Sequence, residues 1–203
     1  AGRGKYVNGR FGSPLIFLKA IQEKLATFTS PKTIHLFFVE KDTQNYSQLE
    51  SNLRDYLDQH AILRKQVETR CLNEDANLII EKLLAQIPQS RKHPLFILID
   101  PTGLQFKKEN LRKLVDVPNP KDILFNYMLE GVRRTGGVAR KARKGASLTR
   151  REIKTIDTLK QFIGTDLEVI EKKDIELMEH YCAAFTSSGL KVVAYDLPYP
   201  NRN

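Results

Sequence analysis

An α/β fold built on a mostly parallel sheet is what this 203-residue sequence predicts, and two observations carry the expectation. Short apolar runs alternate along the chain with stretches of helical periodicity, the order that right-handed crossovers between parallel strands require. Several of those runs are also followed directly by acidic residues. In an open α/β sheet that position is the carboxyl edge, outside which ligands bind.

The elements follow in order. Residues Pro14 to Phe28 place Leu15, Leu18, Ile21 and Leu25 at helical spacing, with proline at the start, and predict an amphipathic helix. Thr33 to Val39 is an apolar run bounded by Pro31 and by charges, and reads as a buried strand. Leu49, Leu53 and Leu57 mark the next helix. Gln66 to Leu72 is a weaker strand, followed by a helix over Ala76 to Ala85. Leu95 to Ile99 is the clearest strand signal in the chain. Phe106 to Val115 reads as helix, Asp122 to Tyr127 as strand, Asp174 to Ser187 as helix and Leu190 to Tyr195 as a last strand. A single domain over residues 1–203 is expected, with helices on both faces of the sheet and a basic insertion at about 131–151. Both ends read as incomplete, with the first and last strands of the sheet missing. A glycine-rich opening normally follows a strand, and nothing after Asn203 supplies an antiparallel edge.

Composition bounds the function. Two cysteines, Cys71 and Cys182, stand far apart without C-x-x-C spacing, and four histidines leave little material for a metal site. Two buried thiols in a reducing compartment is the expectation. No apolar run approaches the roughly 20 residues that span a bilayer, and the opening lacks a signal-peptide apolar region, so a cytoplasmic location is expected. His35 lies in an apolar run and is expected to be buried and satisfied. His60 and His93 read as loop residues, and His180 as helical.

The net charge of +9 is unevenly spread. Between Gly131 and Arg151 lie Arg133, Arg134, Arg140, Lys141, Arg143, Lys144, Arg150 and Arg151, with no acid among them. Gly136, Gly137 and Gly145 interrupt the run and predict a loop. Such a segment is either a solvated loop or a surface for phosphate backbones, which supply affinity without sequence choice.

Candidate chemistry falls in one glycine loop and at three acids. Gly2 and Gly4 form a small glycine loop, through which backbone can approach a ligand, although a lone G-x-G also marks an ordinary turn. Glu40 ends the second apolar element. A carboxylate there can accept both ribose hydroxyls of a nucleoside cofactor, or simply cap the next helix. Asp75 can hydrogen-bond an adenine amino group, or serve as a helix N-cap. Asp100, followed by Pro101, Thr102 and Gly103, stands after the clearest strand. It can orient a target amine and take up its proton, or shape a turn with proline at its second position. Phe125, Tyr127 and Tyr199 can stack on a base, or fill the core.

With these residues in place, the chain resembles the three-Cys-motif partner proteins, a bacterial family with a Rossmann core like that of S-adenosylmethionine (SAM)-dependent methyltransferases. The resemblance runs through Ala1-Gly2-Arg3-Gly4-Lys5-Tyr6, Gly12-Ser13-Pro14-Leu15, Phe38-Val39-Glu40, Glu74-Asp75-Ala76-Asn77, Phe96 to Gly103 and Leu197-Pro198-Tyr199. It implies that the glycine loop cradles SAM, that Glu40 holds its ribose and that Asp75 holds its adenine. It further implies that Asp100 and Pro101 occupy the place of the Asp-Pro-Pro-Tyr motif of amino-methyltransferases, where Thr102 and Gly103 replace the second proline and the aromatic. The family name refers to a neighbouring, radical-SAM-like protein with three cysteines, a motif that a chain with two cysteines cannot itself supply. Two functions are therefore expected side by side. One is a SAM-dependent methyltransferase acting on nucleic acid or on a nucleic-acid-associated partner. The other is a non-catalytic module of the same fold that pairs with a three-Cys-motif protein. A nicotinamide-dependent oxidoreductase is disfavoured: Gly4 and Glu40 lie further apart than the roughly 20 residues of the dinucleotide fingerprint, and no G-x-G-x-x-G is present.

Overall fold

The computed structural model describes residues 1–27, 33–164, 174–186 and 189–194. Helices and parallel strands alternate within it, and the chain divides into two compact units, Ala1–Ile79 and the residues from Ile80 onward.

In the first unit α1 spans Ser13–Leu25, with Gly12 as its N-cap and Pro14 in its first turn, where a missing N–H costs nothing. β1 (Ile34–Val39) leads into α2 (Thr43–Asp58), whose N-cap Asp42 accepts the Asn45 N–H at 2.7 Å. A short α3 (Ala61–Gln66), absent from the sequence expectation, then runs straight into β2 (Val67–Leu72). β1 and β2 pair in parallel, with Ile34 opposite Val67 and Val39 opposite Leu72. Alternate residues Ile34, Leu36, Phe38, Val67 and Cys71 turn towards a core of Leu15, Leu18, Leu25, Leu49, Leu53, Tyr56 and Leu63.

The opposite face of that pair corrects an expectation. His35 is not buried: its side chain is 59% exposed, and its Nδ1 lies 3.1 Å from Oε2 of Glu68, its partner in register. Beside it the Arg70 guanidinium stands over the Phe37 ring. β1 is therefore covered on one face, and the side-chain alternation of a strand delivers His35 to the other.

α4 (Ala76–Gln86) carries the chain into the second unit. There β3 (Leu95–Ile99), α5 (Lys108–Asp116) and β4 (Lys121–Phe125) form a second parallel pair, with Leu95 opposite Lys121 and Ile99 opposite Phe125. Among the described residues the strands thus make two two-stranded sheets where the sequence predicts one continuous sheet. Asn119 braces this unit: its Nδ2 lies 2.8–3.0 Å from the carbonyl oxygens of Pro88, Ser90 and His93.

The segment expected as a basic loop is instead helical over most of its length, as α6 (Leu129–Arg143), followed by α7 (Arg150–Ile163). The glycines predict a break; packing overrides them. Gly131, Val132, Thr135, Gly136 and Ala139 recur at helical spacing and are buried, within a core shared with Ile156, Leu159, Phe162 and Ile163. Small residues allow the close approach, since a Cβ added at Gly131 would stand 3.2 Å from Leu104. α7 starts with a capping box between Thr149 and Glu152 and ends on Gly164 in the left-handed conformation.

α8 spans Asp174–Thr186. Its Tyr181 joins Phe125, Tyr127 and Phe162 in one aromatic cluster, with ring centroids 5.2–5.9 Å apart, so the two strand aromatics are core residues. Lys108 is 4% exposed, its Nζ 5.0 Å from the Tyr181 ring centre. Burial, then the Arg112 charge, hold its ammonium below the usual lysine range. The expected last strand is not formed. Residues 190–194 are irregular and largely exposed, with no strand beside them among the described residues to pair their backbone. Tyr195 and Tyr199 lie outside the described residues. Both cysteines are free and partly buried, and burial together with Glu50 pushes the Cys71 thiol up to about 11. No described helix is long and apolar enough to cross a membrane.

Candidate functional site

The carboxyl ends of β1 and β2 bring three of the expected residues into one region of the first unit. Glu40 follows β1, and its N–H donates to the Leu72 carbonyl oxygen at 3.0 Å, which extends the parallel ladder by one step. Its Oε2 accepts the Gly2 N–H at 2.6 Å, and its Oε1 accepts the Asp42 N–H at 2.9 Å. The Ala1 nitrogen is 3.2 Å from the same Oε2 and 2.8 Å from the Val39 carbonyl oxygen. Burial works against the charge of Glu40. The N–H groups of Asp42 and Gly2 and the Ala1 nitrogen outweigh it and hold the carboxyl below its ordinary range.

That shift sets a pH dependence. The carboxylate contributes its stability fully above its ordinary value of 4.5, and the contribution is lost as pH falls through the lowered folded value. Glu40→Gln should therefore cost about 1.5 kcal/mol at pH 7, a magnitude typical of hydrogen bonds to a charged group. It should also flatten the acid limb of stability below pH 4.5, measured by urea unfolding at stepped pH. An unchanged acid limb would show that the carboxylate is not engaged this way.

Asp75 follows β2 and does what an N-cap does. Its Oδ1 accepts the Asn77 N–H at 2.8 Å, and its carbonyl oxygen accepts the N–H groups of Leu78 and Ile79. Its Oδ2 pairs with Lys41 Nζ at 2.9 Å. The Lys41 hydrogen bond outweighs burial and, with the Asn77 N–H, lowers the Asp75 carboxyl. Capping leaves the carboxylate ionised at the strand end, so the capping role and a ligand role are compatible.

The two glycines differ. Gly2 has φ +71°, and a Cβ added there would meet nothing within 4 Å, so space opens beside its backbone. Gly4 is buried; its carbonyl oxygen accepts the Gly12 N–H at 2.7 Å and an added Cβ would stand 3.3 Å from Leu49. Gly4 thus shapes the turn and packs on α2.

Sequence reasoning missed the asparagines that lace these loops together. Asn73 Nδ2 donates to the carbonyl oxygens of Glu40 and Lys41, and its Oδ1 accepts from Thr43 Oγ1. Asn52 Nδ2 donates to the Arg3 carbonyl oxygen at 2.8 Å. Their partners lie some 30 to 49 positions away in sequence, and no local pattern announces such bonds.

In the second unit Asp100 follows β3 as expected. Its Oδ1 accepts from Asn126 Nδ2 at 2.7 Å, tying the end of β3 to the end of β4, while the Asn126 N–H donates to the Ile99 carbonyl oxygen. Pro101 is half-buried beside it.

The basic residues of α6 form a stripe. Arg133 and Arg140, and Arg134 and Lys141, are seven residues apart, so each pair stacks on one side of a helix of 3.6 residues per turn. Lys144, eleven beyond Arg133, follows the same line. All five are exposed, Arg133 pairing with Glu130 at 3.2 Å. Arg143 belongs to the same helix, and Arg150 and Arg151 open α7 and are exposed.

Compared with known protein families, with curated proteins and with solved structures, the chain matches none. What the fold defines by itself is an α/β chain of alternating helices and parallel strands, with ionised carboxylates at the ends of one strand pair.

Proposed function

We propose that this chain is a Rossmann-type SAM-dependent methyltransferase acting on nucleic acid. The observation that carries the reading is the Glu40 carboxylate, held ionised at the end of β1 and hydrogen-bonded to the Gly2 backbone. A carboxylate accepts about four hydrogen bonds, and three N–H donors use part of that capacity, so Glu40 can also accept from a ribose hydroxyl. Open space at Gly2 suits the close approach of a ligand to its backbone. The residues would serve the nucleoside end of SAM with Gly2 by its backbone, Glu40 towards the ribose and Asp75 towards the adenine amino group, while Gly4, buried against α2, would shape the loop that presents Gly2. SAM would supply an electrophilic methyl group. In the second unit, taken by itself, Asp100 and Pro101 are the residues that would orient an acceptor, and the α6 stripe with Arg150 and Arg151 would hold the phosphates of a strand. The resemblance of its motifs to those of the three-Cys-motif partner proteins, read from the sequence, points the same way.

A second reading keeps the fold without the chemistry, as a module that pairs with a radical-SAM-like three-Cys-motif protein. Two observations favour it: Asp100 is engaged by Asn126, and Thr102 and Gly103 stand where an amino-methyltransferase carries proline and an aromatic.

Calorimetric titration of SAM into the native chain, with Glu40→Ala beside it, tests the first reading. Saturable binding that the variant loses is the expected result. No binding to the native chain would overturn it in favour of the second.

A further inference from the structure

Between the glycine loop and α1 the chain makes a tight turn that none of the roles above uses. Lys5 and Phe11 form an antiparallel bridge, the Tyr6 N–H donates to the Arg10 carbonyl oxygen at 2.8 Å, and the Gly9 N–H returns to the Tyr6 carbonyl oxygen at 2.9 Å. Asn8 Oδ1 accepts the Arg10 N–H at 3.1 Å, and Gly9 takes φ +80°, a conformation that favours glycine. The stem is anchored twice more, by the Gly12 to Gly4 bond and by the edge-to-face contact of Phe11 with Tyr56. The backbone is thus specified bond by bond.

Tyr6 is 60% exposed and Val7 95% exposed at the tip. Arg3 and Lys5 line the same depression as Tyr6 and Val7, and Arg10 closes the turn along the chain. This shallow depression has a volume of about 320 Å³, and its floor is lined by Gln48, Ser51 and Asn52 on α2. An exposed ring among cations, beside amide and hydroxyl groups, matches a ligand that is anionic and offers a flat π-face. A single nucleic-acid strand has both, whereas a duplex keeps its base faces stacked away.

We propose that the Arg3–Arg10 turn is a single-strand contact, in which Tyr6 stacks on an unpaired base and Arg3, Lys5 and Arg10 hold the adjoining phosphates. The inference rests on the nucleic-acid half of the function proposed above and adds where the strand meets the first unit.

The chain contains no tryptophan, so Tyr6→Trp creates a single fluorophore at the turn. Titration with a twelve-nucleotide oligo-dT should quench its emission saturably, with an affinity that falls as salt rises, while an abasic strand of equal length leaves it unquenched. Independently, Tyr6→Ala should weaken binding of the fluorescein-labelled strand about ten-fold by anisotropy, with Tyr6→Phe close to native. SAM titration of the Tyr6 variants should match the native chain. A strand that binds by anisotropy without quenching, or that quenches equally when abasic, overturns the inference and leaves the nucleic-acid reading standing. A strand that does not bind at all overturns both. Loss of SAM binding with quenching intact overturns the methyltransferase reading alone.

Discussion

Phe162→Ala is expected to destabilise the protein by about 3–5 kcal/mol, the range for removing a fully buried aromatic ring. The side chain is 0% exposed, and its ring stands 5.4–5.9 Å from those of Phe125, Tyr127 and Tyr181. It also belongs to the cluster that α6 and α7 share through Val132, Ala139, Ile156 and Leu159. One truncation therefore opens a cavity against β4, α6 and α8 together, and the neighbouring rings are too rigid to collapse into it. Urea unfolding gives the number. An exposed change on the same helix, Lys154→Ala, should stay within about 0.5 kcal/mol. A loss at Phe162 below about 1 kcal/mol would mean that this cluster is not packed as described.

Neutralising the α6 stripe should have the largest effect on binding. Replacing Arg134, Arg140, Lys141 and Lys144 by glutamine removes four exposed cations and touches none of the buried residues of α6. Each phosphate neutralised on a single strand contributes about 0.7 to the slope of log affinity against log salt concentration. The quadruple variant should therefore lower that slope by about 3 and weaken binding at 0.15 M salt by about two orders of magnitude. Unfolding by urea should remain close to native, since exposed substitutions of this kind change stability little. Equal salt slopes for the two proteins would remove α6 from the nucleic-acid interface. Anisotropy of a labelled strand at four salt concentrations is sufficient to decide.

The parts of this fold legible in the sequence are those that local chemistry settles. β3 occupies Leu95–Ile99, the span the apolar run predicts, because Pro94 and Asp100-Pro101 bound it on both sides. α1 begins near its proline signal for the same reason. The failures have a common cause in tertiary contacts. His35 lies in a run of apolar residues, and only the one-sided covering of the β1–β2 pair leaves it in water. The glycines of α6 read as breaks because nothing local reveals the partner that rewards their small size. Glu40 and Asp100 are readable by position, as acids directly after strands, and Asp75 as an acid three residues past β2. The amide ties from Asn73, Asn52 and Asn126 are not, since each joins segments distant in sequence.

The pairing of α6 with α7 bears on how this part of the chain folds. Three of the fifteen residues of α6 are glycine, each about 1 kcal/mol less favourable than alanine in a helix interior, so α6 has little tendency to form alone. α7 carries its own start and stop in the Thr149–Glu152 box and Gly164, and its apolar face is continuous. α7 is thus the more self-sufficient of the two helices, and faster amide exchange over α6 than over α7 is the expected result. The less self-sufficient helix is also the one whose outer surface carries the cations. Any polyanion bound along that surface selects the closed form, and so acts as a clasp on the least self-sufficient helix of the unit.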